Sequence, residues 1–343
     1  MSDLPVLISE ENGVGRITLN RPKALHALNT QMCEIMTDAL LKWRNDDQIK
    51  LVLVDHTDGS RGFCAGGDIR MLAESGAKDG VDAMAFFAAE YRLNTLIFNY
   101  PKPYIACLDG VTMGGGVGVS VHGDVRIATE NTTFAMPESG IGLFPDVGGG
   151  WFLPRLEGAL GVWLALTGAR LKGEDVLAAG VATHFVSSDA LQALKTGILE
   201  DGVAALEGVQ TTATASFADH ADAMNACFGQ DTVEEVYSAL EADGGEWTTK
   251  QLATLKTKSP TTMKTALRQI HEGAKCKTFE DNMRMEYRIG ARIVRSADFA
   301  EGVRAVIIDK DNAPKWSPDD LAGVTDAALD EIFAPLGKDE LTF

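Results

Sequence analysis

Residues 110–124 read GVTMGGGVGVSVHGD and follow directly on the apolar run YIACL at 104–108. The run has the character of a strand buried on both faces of a sheet. Glycine tolerates positive φ and lets a backbone approach a neighbour or a ligand closely, and the first N–H groups of a helix have no intrahelical acceptor. Two such turns can aim two N–H groups at one oxygen, which is the physical requirement of an oxyanion hole. The same glycines can also serve helix–strand packing alone, and composition does not separate the two.

Working outward, the outline recurs. LVLVDHTDGSRGFCAGGDIRML (51–72) is again an apolar strand, a turn, a Gly-Gly pair and a helix-compatible stretch, and VRIATENTTFAMPESGIGLFPDVGGGW (125–151) repeats it with a longer turn. Recurrent strand–glycine–helix units predict a layered, repeated architecture. Further strands are expected at VLISE (6–10), GRITL (15–19) and THFVS (183–187). Between them, Met32, Met36, Leu40 and Trp43 fall on one helical face after a cap at Asn29 or Thr30. From about 213 to 300 the strand signal disappears. Thr232 with Glu235 forms a capping-box pattern there, and Ser259 before Pro260 marks another helix start. The tail, with DNAPKWSPDDLAG at 311–323, reads as short helices joined by Pro-containing turns. This divides the chain into an α/β core over 1–200 and a helical region over 201–343.

The 343 residues, 45% hydrophobic and 23% charged, suit a globular fold of one large or two modest domains. A formal charge of −18 repels a phosphate backbone, so no nucleic-acid partner is expected. MSDLPVLISEENG carries neither a basic nor an apolar targeting segment, and no long apolar run follows, so the expectation is a cytoplasmic protein with no membrane association. Cys33, Cys64, Cys107, Cys227 and Cys276 are widely spaced with no CxxC, which suits reduced thiols. No metal-ligand spacing appears among the histidines, so no metal is expected.

Several motifs fail on inspection. A G-x-G-x-x-G fingerprint lacks its third glycine after Gly114 or Gly116, and the Gly-Lys pair Gly337-Lys338 is followed by Asp339 rather than by Ser or Thr. A G-x-S-x-G elbow at Gly118 and Ser120 breaks at His122. Downstream, Glu138 and Asp146 lie on Gly- and Pro-rich loops among apolar residues. Carboxylates in such surroundings can have raised pKa values and divide general-acid and general-base roles, although each taken alone reads more readily as a loop cap.

Taken together, FCAGGDI, GVTMGGGVGVSVHGDVRIAT and MPESGIGLFPDVGGGWFLPRLEG, in this order, closely resemble the crotonase (enoyl-CoA hydratase/isomerase) superfamily and, within it, the 3-hydroxyisobutyryl-CoA hydrolase branch. The likeness continues through ALTGARLKGEDVLAAGVATHFV, MEYRIGARIVRSADFAEGVRAVIIDKD and PKWSP, and so covers nearly the whole chain. The resemblance implies a crotonase-like spiral of stacked β-β-α units followed by an α-helical C-terminal region. In the superfamily that helical region either packs over its own active site or mediates oligomers, so a homo-oligomer is one expectation.

Carried over by position, the resemblance makes Gly67 and Gly115 the oxyanion-hole donors to an acyl-CoA thioester. It makes Glu138 and Asp146 the catalytic pair and Glu90, in FFAAEYRLN, a substrate contact. The NRPKALHAL loop and the AGGDI turn imply CoA contacts at Ala24, His26, Ala65, Asp68 and Ile69, with His26 where the family usually has asparagine. A lone histidine there more often braces its loop than acts as a catalyst. Hydratases of the superfamily carry a second glutamate three positions after the middle glycine; that position is Gly118 here, which disfavours concerted hydration.

The implied reaction is hydrolysis of 3-hydroxyisobutyryl-CoA, a thioesterase step of valine catabolism with CoA as part of the substrate and no other cofactor. Glu138 would attack the thioester directly or act as a base on water. An enoyl-CoA hydratase or isomerase is the second reading, and a scaffold that kept the fold and lost the chemistry is the third. A close analogue such as 3-hydroxypropionyl-CoA is an expected substrate too, since one methylene discriminates by only about 1–3 kcal/mol.

Overall fold

The computed structural model describes residues 4–343. Among them ten strands are named: β1 Val6–Glu11, β2 Val14–Leu19, β3 Leu51–His56, β4 Gly62–Cys64, β5 Tyr104–Cys107, β6 Val111–Met113, β7 Val125–Ala128, β8 Thr133–Ala135, β9 Leu171–Lys172 and β10 His184–Phe185. The first eight helices are α1 Thr30–Arg44, α2 Ile69–Gly76, α3 Val81–Phe98, α4 Gly115–Gly118, α5 Gly149–Phe152, α6 Leu160–Thr167, α7 Glu174–Ala178 and α8 Ser188–Asp201. Then come α9 Ala221–Phe228, α10 Val233–Asp243, α11 Glu246–Leu255, α12 Pro260–Gly273, α13 Phe279–Ile293, α14 Ala297–Val303 and α15 Asp326–Phe333.

By contacts the chain falls into two compact units, one made of the residues up to Gly67 with 92–134 and 171–216, the other of 68–91, 135–170 and 217–343. This partition crosses the chain at several points where the sequence suggests a single boundary at 200/201.

The first unit holds two sheets, ordered β1-β2-β3-β5-β7-β10 and β4-β6-β8-β9. Strands β3, β5 and β7 are parallel neighbours in the larger sheet, and β4 and β6 are parallel in the smaller. Each recurrent stretch therefore gives one strand to each sheet, β3 then β4, β5 then β6, β7 then β8, which is the stacked β-β-α spiral. Continuous apolar runs give β3 and β5 two buried faces. Leu51 and Leu53 pack with Ile105, Cys107 and Ile127 against Leu191 and Ile198 of α8, while Val52 and Val54, pointing the other way, are also fully buried. One acid interrupts the run. Asp55 on β3 is 1% exposed and takes Arg16 and Thr18 from β2 and Lys195 from α8 as partners, the last at 3.2 Å.

Helix α1 starts where its cap dictates, with the Asn29 side chain accepting the Met32 N–H at 2.9 Å, and Met32, Met36, Leu40 and Trp43 form its fully buried face. Strand β10 is shorter than THFVS suggests, only His184–Phe185.

The second unit is helical apart from its loops. Thr232 and Glu235 cap α10 reciprocally, and Ser259 caps α12 with Pro260 in its first turn, as the sequence predicts. Among the described residues no helix is long and apolar enough to cross a membrane.

Candidate active site

In the first unit the two glycine turns pack on each other. Gly66 has φ +117° and Gly114 φ +45°, conformations that L side chains rarely adopt. A Cβ on Gly66 would lie 3.9 Å from the Gly115 nitrogen, and one on Gly116 would come within 2.3 Å of the Cys64 carbonyl oxygen, so only glycine lets the turns close. Gly115 is the first residue of α4, and an N–H in that position has no intrahelical acceptor. At the other turn the Leu28 N–H donates to the Gly66 carbonyl at 2.8 Å, which leaves the Gly67 N–H outside that bond.

The same bond ties the NRPKALHAL loop to the turn, and the Ala65 N–H adds a second tie to the Leu25 carbonyl at 3.0 Å. Ala24, His26 and Ala65 are thus brought together in one loop cluster. The His26 ring is fully buried and accepts the Arg21 N–H on Nδ1 at 3.0 Å. Burial, with the neighbouring His56 and Arg21, pushes its pKa down to about 4, so it is a neutral ring bracing its own loop. Asp68 belongs to the other unit, where its side chain caps α2 by accepting the Met71 N–H at 3.3 Å; Ile69 is the first residue of that helix.

The acids gather in the second unit. Glu138 opens a 3₁₀ turn, Glu138–Ile141, and is 5% exposed; Asp146, on the loop that follows, is also 5% exposed. Glu90 on α3 is 2% exposed. Among the described residues none of the three is ion-paired, and one oxygen each of Glu138 and Glu90 lacks a hydrogen-bond partner. Asp146 accepts the Tyr91 O–H at 2.8 Å.

These surroundings disfavour charge. Burial first, then the charge of Asp146, raises Glu138 well above the carboxylate range, and burial with Asp146 and Glu286 does the same to Glu90. Burial pushes Asp146 up to about 7 against the pull of the Tyr91 hydrogen bond. Asp146 is therefore the member of the pair that ionises first, and Glu138 holds its proton longer. Among the described residues no cluster of His, Cys, Asp or Glu has metal-binding geometry.

Two members of this region are absent from the sequence reading. Tyr91 adjoins the expected Glu90, and its hydroxyl contact could not be foreseen from spacing. Glu286, on α13, is fully buried and takes the N–H groups of Gly148 and Gly150 at 2.8 and 2.9 Å. A sequence signal for it exists. Asn282, Met283, Glu286, Gly290 and Ile293 share the buried face of α13, and an acid on an apolar stripe must have found donors.

The chain matches the Enoyl-CoA hydratase/isomerase family over residues 14–333. It is 46% identical over 351 aligned positions to the protein named 3-hydroxyisobutyryl-CoA hydrolase, mitochondrial, of Homo sapiens, covering 98% of this chain and 90% of that one. The protein of the same name from Danio rerio is 45% identical, covering 98% and 91%. Among solved structures, a carnitinyl-CoA dehydratase from Mycobacterium thermoresistibile superposes with TM-score 0.94 at 41% identity over 99% of this chain and 98% of that one. An enoyl-CoA hydratase from Rhodobacter sphaeroides 2.4.1 follows with TM-score 0.93 at 37% identity, covering 99% and 100%. On this evidence of sequence and fold, the chain belongs to the enoyl-CoA hydratase/isomerase (crotonase) family.

Proposed function

We propose that the protein hydrolyses the thioester of 3-hydroxyisobutyryl-CoA to 3-hydroxyisobutyrate and CoA, a step of valine catabolism. The observation that carries this reading is the pairing of near-full-length identity to hydrolases of that name with an acid pair, Glu138 and Asp146, and a glycine at position 118. The family pattern assigns the Gly67 and Gly115 N–H groups and this pair to one thioester.

In the resting enzyme the pair holds one proton, with the charge on Asp146 beside the Tyr91 hydroxyl. Passing that proton from Glu138 to Asp146 frees the Glu138 carboxylate to attack the thioester carbon while the backbone N–H groups take the oxyanion charge. The C–S bond breaks, the leaving thiolate receives the proton from Asp146, and Glu138 is left in a mixed anhydride. Asp146, again a carboxylate, draws a proton from water as it opens the anhydride, returning the pair to one proton. In the direct route Glu138 instead takes a proton from water that attacks the thioester. Hydroxylamine quenching of a single turnover separates the two: a Glu138 hydroxamate marks the anhydride, and the absence of both it and the acyl hydroxamate removes the covalent route.

The test of the reaction is thiol release from 3-hydroxyisobutyryl-CoA beside hydration of crotonyl-CoA, with Glu138→Ala as control. Thiol release that falls by about 1,000-fold or more in the variant supports hydrolysis. Hydration of crotonyl-CoA with no thiol would replace it by the hydratase reading that the two solved relatives' names suggest. Gly118 stands against that outcome, because it leaves Glu138 without a second acid at the usual water site. None of the five cysteines forms a disulfide. The cytoplasmic placement remains a proposal beside the word mitochondrial in the relatives' names, and fractionation of source cells decides it.

A further inference from the structure

The geometry points to Glu286 as a positioning residue that holds the Asp146 loop in a strained conformation, an inference that rests on the hydrolase reading for the role of Asp146. The residue after Asp146 is Val147, with φ +53°. A β-branched side chain in the left-handed region is a true outlier, and it persists only where the surroundings over-determine it. What over-determines it is visible. The two oxygens of Glu286 take the N–H groups of Gly148 and Gly150, bridging the segment just past Val147. Gln269 on α12 holds the near side by donating to the Pro145 carbonyl at 2.8 Å, and it also donates to Glu286 at 3.2 Å. Asn282, one turn before Glu286, donates to the same carboxylate at 2.9 Å.

Four N–H donors converge on one carboxylate, an acceptor-only group when ionised. The clamp therefore needs both oxygens as acceptors. A Cβ on Gly150 would lie 2.5 Å from the Asn282 side-chain oxygen, so glycine at this position is what lets the loop sit against α12 and α13. Tyr91 fixes the Asp146 carboxylate from its own side, while Glu286 fixes the backbone that carries it.

Glu286→Gln keeps the size and replaces one acceptor by a donor facing N–H groups. Two measurements read it on the full-length protein. In steady-state hydrolysis of 3-hydroxyisobutyryl-CoA, corrected for folded fraction, kcat should fall by about 100-fold with KM within about twofold, since misplacement of a reacting group acts on the chemical step. Amide exchange at Gly148 or Gly150 should quicken by about tenfold or more. Gln269→Met, which keeps volume and loses the bond to Pro145, should lower kcat by about fivefold and serves if the first variant does not fold. A Glu286→Gln enzyme with wild-type kcat per folded molecule overturns the inference, as does unchanged exchange at both glycines. If the wild-type enzyme releases no thiol, the hydrolase reading fails, and the exchange measurement still judges the clamp.

Discussion

Two buried groups of carboxylates in this molecule are built in opposite ways. In the first unit Asp55 faces Arg16 and Lys195 and accepts the Thr18 hydroxyl, so its charge is matched on every side. In the second unit Glu90, Glu138, Asp146 and Glu286 share a buried region in which, among the described residues, none has an ion pair. The contrast separates purposes. A matched buried acid fixes a strand to its neighbours, whereas unmatched acids with raised pKa values can hand protons over. Burial alone marks neither as functional; what the acid faces does.

Breaking the matched site should give the largest effect on stability. Asp55→Asn strands the Lys195 ammonium, whose side chain is 9% exposed, and should cost about 3–5 kcal/mol in urea unfolding while leaving kcat per folded molecule unchanged. Glu138→Gln should do the reverse, adding up to about 2 kcal/mol as a functional acid is replaced by a neutral isostere, with thiol release nearly abolished. If Glu138→Gln destabilised as much as Asp55→Asn, the unmatched acids would be holding the fold and the contrast would collapse.

The unmatched acids predict a pH dependence of stability. An acid whose pKa is raised on folding keeps its proton in the native state after the unfolded chain has lost its own, so stability falls as pH climbs from the ordinary carboxylate range to the raised value. For Asp146 that window runs from 3.8 to about 7. Urea-derived stability should therefore decline across it, by about 1.4 kcal/mol per pH unit for this group. Asp146→Asn should flatten the decline below pH 7, and a wild-type and variant pair with parallel profiles would show that Asp146 does not titrate there.

How much of this was open to reading depends on distance along the chain. The larger sheet was legible because β3 and β5 are continuous apolar runs, and α1 because its cap and apolar face are local. The smaller sheet was not, since GFC, VTM and TFA are too short to display a period, and two of them sit inside glycine turns. At the site, the glycine turns and the loop acids carry motif signals. Glu286 meets Gly148 across 138 positions, a pairing that no local pattern encodes. His26 was readable in part: the buried ring braces its loop, and that followed from its being a lone histidine.

The finest test concerns the one hydroxyl that distinguishes Asp146 from Glu138. The Tyr91 O–H stabilises the charged form of Asp146, and its ring stacks on Phe87 with centroids 5.5 Å apart, so Tyr91→Phe removes the bond and keeps the packing. A hydrogen bond to a charged group is worth about 1.5–3 kcal/mol, equivalent to a rise of about one to two pKa units in Asp146. The acid limb of the kcat/KM profile reports the first ionisation of the pair and should move up by that amount, while the alkaline rate changes little. Thermal unfolding near pH 5, where Asp146 is protonated with or without the bond, should hardly respond. An unmoved acid limb would mean that the charge is set by burial alone, and that Asp146 and Glu138 differ less than their partners imply.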